Sequence, residues 1–196
     1  MTMEETKELG LVTRAVIFAA EAHDGQVRKG TGIPYIVHPV ETAAIAAGLT
    51  EDPEVIAAAV LHDTAEDAGV TREQLTEEFG VRVADLVAAE SEDKREGVDP
   101  RLSWKVRKQE TIDHLEKTND RDVKILALAD KISNLRSIDR DYRAEGDRLW
   151  ERFNQKDTKE IGWYYRSFLR TCAALKDAAA YREYAELVDK VFGPEK

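Results

Sequence analysis

Within Leu61-His62-Asp63-Thr64-Ala65-Glu66-Asp67 the chain sets a histidine and three carboxylates into seven residues. The stretch directly follows an apolar run, Val55-Ile56-Ala57-Ala58-Ala59-Val60, which reads as a core helix. A buried helix that ends on His-Asp must find partners for those groups, because charge buried without compensation is costly. A divalent metal is the simplest partner. Imidazole together with carboxylate suits Mn, Fe, Zn or Ni better than Ca or Mg.

Helical spacing suggests what else could join such a site, since positions three or four apart share a face. Glu66 lies four after His62 and three after Asp63, and Asp67 lies four after Asp63. A second apolar run, Val123 to Ala129, ends on Asp130, with Asn134 four residues on. His38, beside Pro39 at a loop-to-helix junction, is a further candidate. His38, His62, Asp63 and Asp130 are the right types for a mixed nitrogen and oxygen site with positions open to water. Each also has a bland reading. His38 alone reads as a polar surface residue, Asp63 as a cap, and Asp130 as an ion-pair partner of Arg14 or Lys131. Glu66-Asp67 alone reads as a solvated turn. The conjunction favours the metal, because three of the four candidates adjoin the most apolar stretches.

Helices must position these groups, for strand alternation is weak throughout. Apolar residues at 12, 15, 16, 19 and 20 predict a helix within Leu9 to Asp24. Five glycines and prolines between Gly25 and Pro39 predict a loop. Helices are expected over Val40 to Gly48, and from Pro53, with Asp52 before it, to the His-Asp pair. Thr71 and Gln74 fit a capping box opening a helix that ends near Gly80, and Val81 to Ala89 is the next. Ser91 to Asp99 reads as a charged connector, and Pro100 to Glu116 as helix. Another helix starts near Asp120 and runs to about Arg136, followed by a polar stretch over Asp139 to Asp147. Helices around Arg148 to Asn154 and Lys159 to Lys190, with a break near Ala180, complete the chain.

The composition narrows the functional classes. At 196 residues the chain has the size of one domain and can build a core. A net charge of −10 argues against general nucleic-acid binding, which needs a basic footprint. A small anionic ligand remains open, given a local basic cluster or a metal. Cys172 is the only cysteine, which excludes an internal disulfide and a cysteine-based metal site. No apolar run is long enough to cross a bilayer. Met1 to Gly10 is acidic and polar, unlike a signal peptide, so the expected location is cytoplasmic.

The order H…HD…D resembles that of the HD-domain metal-dependent phosphohydrolases. Five stretches narrow the resemblance: Ala22-His23-Asp24-Gly25-Gln26-Val27-Arg28-Lys29; Pro34-Tyr35-Ile36-Val37-His38-Pro39; Leu61 to Asp67; Phe79-Gly80; and Leu128-Ala129-Asp130-Lys131-Ile132-Ser133-Asn134-Leu135-Arg136. Together they are similar to the hydrolase domain of the Rel/SpoT family, enzymes that remove the 3′-pyrophosphate of guanosine tetra- and pentaphosphate. The resemblance covers about residues 11 to 140. It implies an all-α HD-domain helical bundle as a single domain, with further helices over about 148–192. No sign of the synthetase and regulatory domains of long members is present, so the expectation is a small stand-alone hydrolase. Carried over, His38, His62, Asp63 and Asp130 match the metal ligands, and the metal is typically Mn²⁺. Glu66 and Asp67 match the acidic pair that positions and activates water. Arg28 and Lys29 match the pair that frames the base; without the resemblance they read as an exposed basic loop. Asn134 matches a residue near sugar and metal, and Lys131 lies in the same motif.

The chemistry is coherent: a metal lowers the pKa of bound water and stabilises phosphoryl charge, and a carboxylate accepts the proton. Arg28 suits stacking on a flat base, and Lys29 an anionic oxygen. Ser103-Trp104-Lys105-Val106-Arg107-Lys108 is a basic, aromatic stretch in an acidic chain. Lys105, Arg107 and Lys108 are candidates for the distal phosphates, or equally for a solvated helix face. Trp163, Tyr164 and Tyr165 read as packing residues, His23 as packed near the site, and His114 as surface. The chain departs from the alarmone enzymes at Gly30-Thr31-Gly32-Ile33, at Ala127, at Ser133 and at Ala89 to Lys94. These departures spare the metal and catalytic positions and touch the pocket walls. The expected reaction is therefore pyrophosphate release from (p)ppGpp. The alternatives are an HD phosphatase of a nucleoside monophosphate or NADPH, and a non-catalytic nucleotide sensor. The expected partner is a small nucleotide, with no nucleic acid and no membrane, and self-association is left open.

Overall fold

A computed structural model describes residues 8–95 and 97–194. Among the described residues the chain is all-α, with one isolated antiparallel bridge between Val27 and Pro34 inside the glycine-rich loop. It divides into two compact units, residues 1–91 and 92–196.

In the first unit, α1 (Leu11–Ala22), α2 (Val37–Ala47), α3 (Pro53–Leu61), the short α4 (Thr64–Asp67), α5 (Arg72–Phe79) and α6 (Val81–Glu90) follow in order. The unit is organised around α3, against which α1, α2 and α6 all pack. The reason lies in its sequence. Val55 and Ala57 through Leu61 have no exposed surface, and three consecutive alanines let neighbouring helices approach closely. Asp52 caps α3 by accepting from Glu54 N–H at 2.9 Å, and Pro53 occupies the first position, where a missing N–H costs nothing. Arg82 ties α6 back to that cap through Asp52 and Glu54, both at 2.7 Å. The Thr71–Gln74 capping box forms as expected, and Gly80 takes φ +93° between α5 and α6.

α2 begins three residues earlier than expected, at Val37. Pro39 falls within its first turn, where no intrahelical donor is needed, so the proline does not mark the boundary.

In the second unit, α7 (Pro100–Lys117) and α8 (Arg121–Glu145) are followed by a 3₁₀ segment (Gly146–Arg152). Then come α9 (Thr158–Thr171), a 3₁₀ turn (Ala173–Leu175) and α10 (Ala179–Phe192). α8 is the centre here, with Ile125 to Ala129 fully buried, and α9, α10 and the 3₁₀ segments pack on it. It runs nine residues beyond the predicted end, straight through the polar stretch. Side-chain pairs hold that extension: Arg143 with Asp139 one turn back, Lys190 from α10 with Asp139, and Arg152 with Asp141. Gly146, at φ +60°, stops it. The region predicted as one helix over Lys159 to Lys190 breaks earlier than Ala180, between Thr171 and Ala179, and the buried Cys172 and Leu175 anchor the break. The helix predicted around Arg148 to Asn154 is the 3₁₀ segment. No described helix is long and apolar enough to cross a membrane.

Candidate metal and phosphohydrolase site

α3 delivers His62 at its C-terminal cap position, buried. The helix does not continue to Asp67. Thr64 Oγ1 donates to the Leu61 carbonyl at 2.7 Å, and a separate turn forms with Asp67 N–H donating to Asp63 O at 2.8 Å. The break turns the Asp63 carboxylate back toward His62 and toward His38 from the first turn of α2. His62 Nε2 lies 3.2 Å from Asp63 Oδ2, and His38 Nε2 lies 3.4 Å from the same oxygen. The two imidazoles stand edge to face, 5.2 Å apart at 74°. His38 is buried, so the reading of it as a surface residue does not hold.

The His62 tautomer follows from its other nitrogen. Nδ1 lies 2.8 Å from the Ala59 carbonyl, which can only accept, so Nδ1 carries a proton. In a neutral ring Nε2 then presents a lone pair to a carboxylate oxygen. Two acceptors at that distance require a positive charge between or beside them. A divalent cation on imidazole and carboxylate meets that requirement, and a backbone carbonyl orienting a ligating histidine is a recurrent arrangement. The donor set thus fits a metal. Burial alone would raise the Asp63 carboxyl and is the largest single influence, but His62 and His38 together outweigh it and hold Asp63 well below the usual carboxylate range.

Tyr35 joins the ligand group to the acidic pair. Its hydroxyl is 2.7 Å from Asp63 Oδ2 and 2.8 Å from Asp67 Oδ2. Burial, then the charges of Asp63 and Asp67, push the phenol well above its ordinary pKa, so it stays a neutral donor. His23 packs against the Tyr35 ring at 4.9 Å and bonds Gln26 through Nδ1, while Gln26 Nε2 donates to the Asp67 carbonyl at 2.9 Å. The Arg28 guanidinium lies over the other part of this assembly, 5.4 Å from the Tyr35 ring centroid. Lys29 is exposed, and Glu66 is half-buried beside Asp67. Tyr35 and Gln26 stood inside the quoted motifs without a role; nothing in residue type or spacing marks a tyrosine as a bridge between two carboxylates.

The second unit holds the other candidates. Asp130 is buried on α8, pairs with Lys131, and accepts from Asn134 Nδ2 at 2.6 Å, as the spacing of four predicted. Arg107 is buried and bonds Glu92 Oε2 at 2.5 Å and Ser103 Oγ at 3.2 Å; Lys108 reaches the same Glu92 oxygen at 3.2 Å. Lys105 lies apart from them, exposed, paired with Glu160 at 2.5 Å and over the Trp163 ring. Tyr164 and Tyr165 are buried, Trp163 is half-buried and His114 exposed, in keeping with their reading as packing and surface residues.

The family model for the HD domain matches residues 15–157. The chain belongs to the HD-domain family. The match extends over both units and includes all six histidine and carboxylate candidates. A guanosine-3′,5′-bis(diphosphate) 3′-pyrophosphohydrolase of Danio rerio is 38% identical to this chain over 66% of the chain's length and 70% of the relative's own. A protein of the same name from Haemophilus influenzae is 40% identical over 62% of the chain. The chain spans only 18% of the length of that relative, and 18% of a Myxococcus xanthus GTP pyrophosphokinase to which it is 35% identical. Among solved structures, a Listeria monocytogenes EGD-e protein is 31% identical, with a TM-score of 0.70 over 80% of the HD-domain chain and 99% of its own. A metazoan SpoT ortholog described as hydrolysing ppGpp shares the fold, with a TM-score of 0.76 over 95% of this chain and 98% of its own, at 21% identity.

Proposed function

We propose that the protein is a metal-dependent nucleotide phosphohydrolase that releases pyrophosphate from the 3′ position of guanosine tetra- or pentaphosphate. The observation that carries the hydrolytic reading is the link through Tyr35 between Asp63, faced by two histidines, and Asp67. It holds a carboxylate that can accept a proton beside one suited to a cation. The substrate class is supported by relatives named for that reaction, one of which the chain covers over 70% of its length. The family match across residues 15–157 supports reading the chain as one HD domain.

In this reading His38, His62, Asp63 and Asp130 hold the ion, as the order H…HD…D of the family suggests, with Mn²⁺ the metal favoured by the resemblance. A divalent cation, when bound, makes water nucleophilic at neutral pH and offsets charge on phosphoryl oxygens. The chain's own residues do the rest. Ala59 fixes the His62 ring, and Tyr35 and Gln26 hold Asp67 in place. Glu66 and Asp67 orient the attacking water and take its proton. Arg28 and Lys29 frame the base, and Asn134 and Lys131 stand toward sugar and phosphate. Water adds to the phosphorus bonded to the 3′ oxygen, the bond between that phosphorus and the 3′ oxygen breaks, the 3′ oxygen takes up a proton, and the products are GDP or GTP and pyrophosphate.

Incubation of the purified chain with Mn²⁺ and ppGpp tests this directly. GDP and pyrophosphate are the expected products. No turnover of ppGpp, with release of phosphate from NADPH or a nucleoside monophosphate in a parallel panel, would overturn the substrate assignment.

A further inference from the structure

In the second unit the end of α8, the 3₁₀ segment after it, the start of α9 and the last turn of α10 line a cavity of about 250 Å³. Three aromatic rings stand in series along its wall. Tyr142 and Trp150 lie 5.7 Å apart at 43°, and Trp150 and Phe192 lie 6.0 Å apart at 33°. Tyr165 stacks on Phe192 at 5.6 Å. The same wall carries Lys159, Arg166 and Asp147. None of the residues proposed for the ion, the water or the nucleotide lines it. On α9, Lys159, Gly162 and Arg166 follow at i, i+3 and i+7 and share one face. Tyr164 and Phe168, whose rings approach Lys131 of the Asp130 motif, lie on the opposite side of that helix.

Both cations of the wall are uncompensated. Carboxylates outnumber lysines and arginines in this chain, 39 to 29, yet neither Lys159 nor Arg166 pairs with one among the described residues. Arg166 Nη2 donates to the Phe192 and Gly193 carbonyls at 3.0 and 2.6 Å, which fixes the guanidinium beside the rings. Its buried Nε has no hydrogen-bond partner among the described residues. A cation held in this way, half-buried and without a counter-charge, is costly until an anion arrives. Asp147 accepts from the Tyr142 hydroxyl at 3.1 Å. Gly162 makes the arrangement possible. A Cβ there would come 2.8 Å from Arg166 Nη1 and 3.2 Å from the Phe192 ring, so a residue unfavourable inside a helix is what lets both groups lie against α9.

We propose that this cavity is a second ligand site, for a small aromatic carboxylate whose ring lies against Trp150, Tyr142 and Phe192 and whose anionic end meets Lys159 beside Arg166. Aromatic rings at these tilts take a further ring by stacking or edge contact. Lys159 supplies a charge-assisted hydrogen bond, and Arg166 supplies charge from within the wall. Two cations and one carboxylate leave the wall with one positive charge, which a monoanion balances. The volume sets the size. It is just below the range of about 300–1,000 Å³ that holds drug-sized ligands, so it suits a single ring with a short acidic chain and not a nucleotide with several phosphates.

The test is calorimetric titration of the full chain with 3-phenylpropionate, with phenethylamine and inorganic phosphate as companion probes. Saturable binding of 3-phenylpropionate with a Kd of about 1 mM or tighter is expected, and no binding of either companion in the same range. Lys159→Met should weaken binding by about tenfold, and Lys159→Arg should restore most of the loss. Gly162→Ala should abolish binding by displacing Arg166 and Phe192. Lys156→Met, close in sequence but paired with Glu151, should leave it unchanged. Circular dichroism confirms that each variant is folded. A folded wild type that binds no 3-phenylpropionate overturns the site, as does wild-type affinity in folded Lys159→Met. Phenethylamine bound as tightly would show that the cations play no part, and phosphate bound as tightly would show a general anion site; either overturns the aromatic carboxylate assignment. Binding is read with neither metal nor ppGpp present, so its outcome is separate from that of the hydrolase reading.

Discussion

The Tyr35 hydroxyl lies 2.8 Å from an Asp67 carboxylate oxygen, although the two residues stand 32 positions apart. The same oxygen atom of Tyr35 contacts Asp63, so one phenol sets the spacing between the carboxylate proposed for the metal and the one proposed for the water. Tyr35→Phe keeps the ring and its contact with His23 but removes that link. Removing a partner that orients ligands typically costs 10–100-fold in metal affinity or activity. The expected result is a fall in kcat of about tenfold or more with KM little changed, measured by steady-state release of pyrophosphate. Unchanged kcat would show that Asp67 holds its place without the tyrosine.

His62 and Asp63 should be indispensable to metal binding. Wild type is expected to gain thermal stability on addition of Mn²⁺, because an ion that binds the folded state shifts unfolding by mass action. His62→Ala and Asp63→Ala should lose that gain and all turnover. A Mn²⁺-dependent rise in Tm in either variant, or full activity, would remove the residue from the ligand set.

Asp67→Asn separates holding the ion from handling the water. The amide still accepts from Tyr35 but cannot take a proton at neutral pH. Turnover should fall by about 10²-fold or more, while the stabilisation by Mn²⁺ persists. A variant that loses both together would place Asp67 among the ligands.

Asp52 links the pH dependence of stability to the helix that carries His62. The Arg82 hydrogen bond, then the Glu54 N–H, hold its carboxyl below the ordinary value of 3.8. A carboxyl depressed in the folded state stabilises above its unfolded pKa, and the contribution is lost as pH falls through the folded value. Urea midpoints should therefore be flat near neutrality and drop below about pH 4. Asp52→Ala should lose about 1 kcal/mol at pH 7 from the missing cap. Asp52→Asn should keep most of the cap but lose its share of the acid dependence. An acid dependence identical to wild type in Asp52→Asn would show that other carboxyls carry it.

Much of the site was written in residue type and spacing. Caps and apolar periodicity are local, so Asp52-Pro53, the Thr71–Gln74 box and the helices ending at His62 and carrying Asp130 could be read directly, as could the shared face of Asp130 and Asn134. The five motif stretches brought the family and its ligand types with them. What local pattern could not supply was anything set by a distant partner. The polar stretch after Asp139 is helical because Lys190 and Arg152 arrive to pair with it. His38 is buried rather than exposed because α2 packs on α3. Tyr35 joins Asp63 to Asp67 only because the loop before α2 folds back over the turn after α3. Of the basic residues near Trp104, Lys105 stays exposed and pairs with Glu160, while Arg107 and Lys108 share Glu92, a division made by packing against α9. Residue type determines which atoms can ligate, donate or carry charge; the tertiary fold alone decides which of those atoms meet, because hydrogen bonds and ion pairs depend on separations of a few ångströms that sequence distance does not encode.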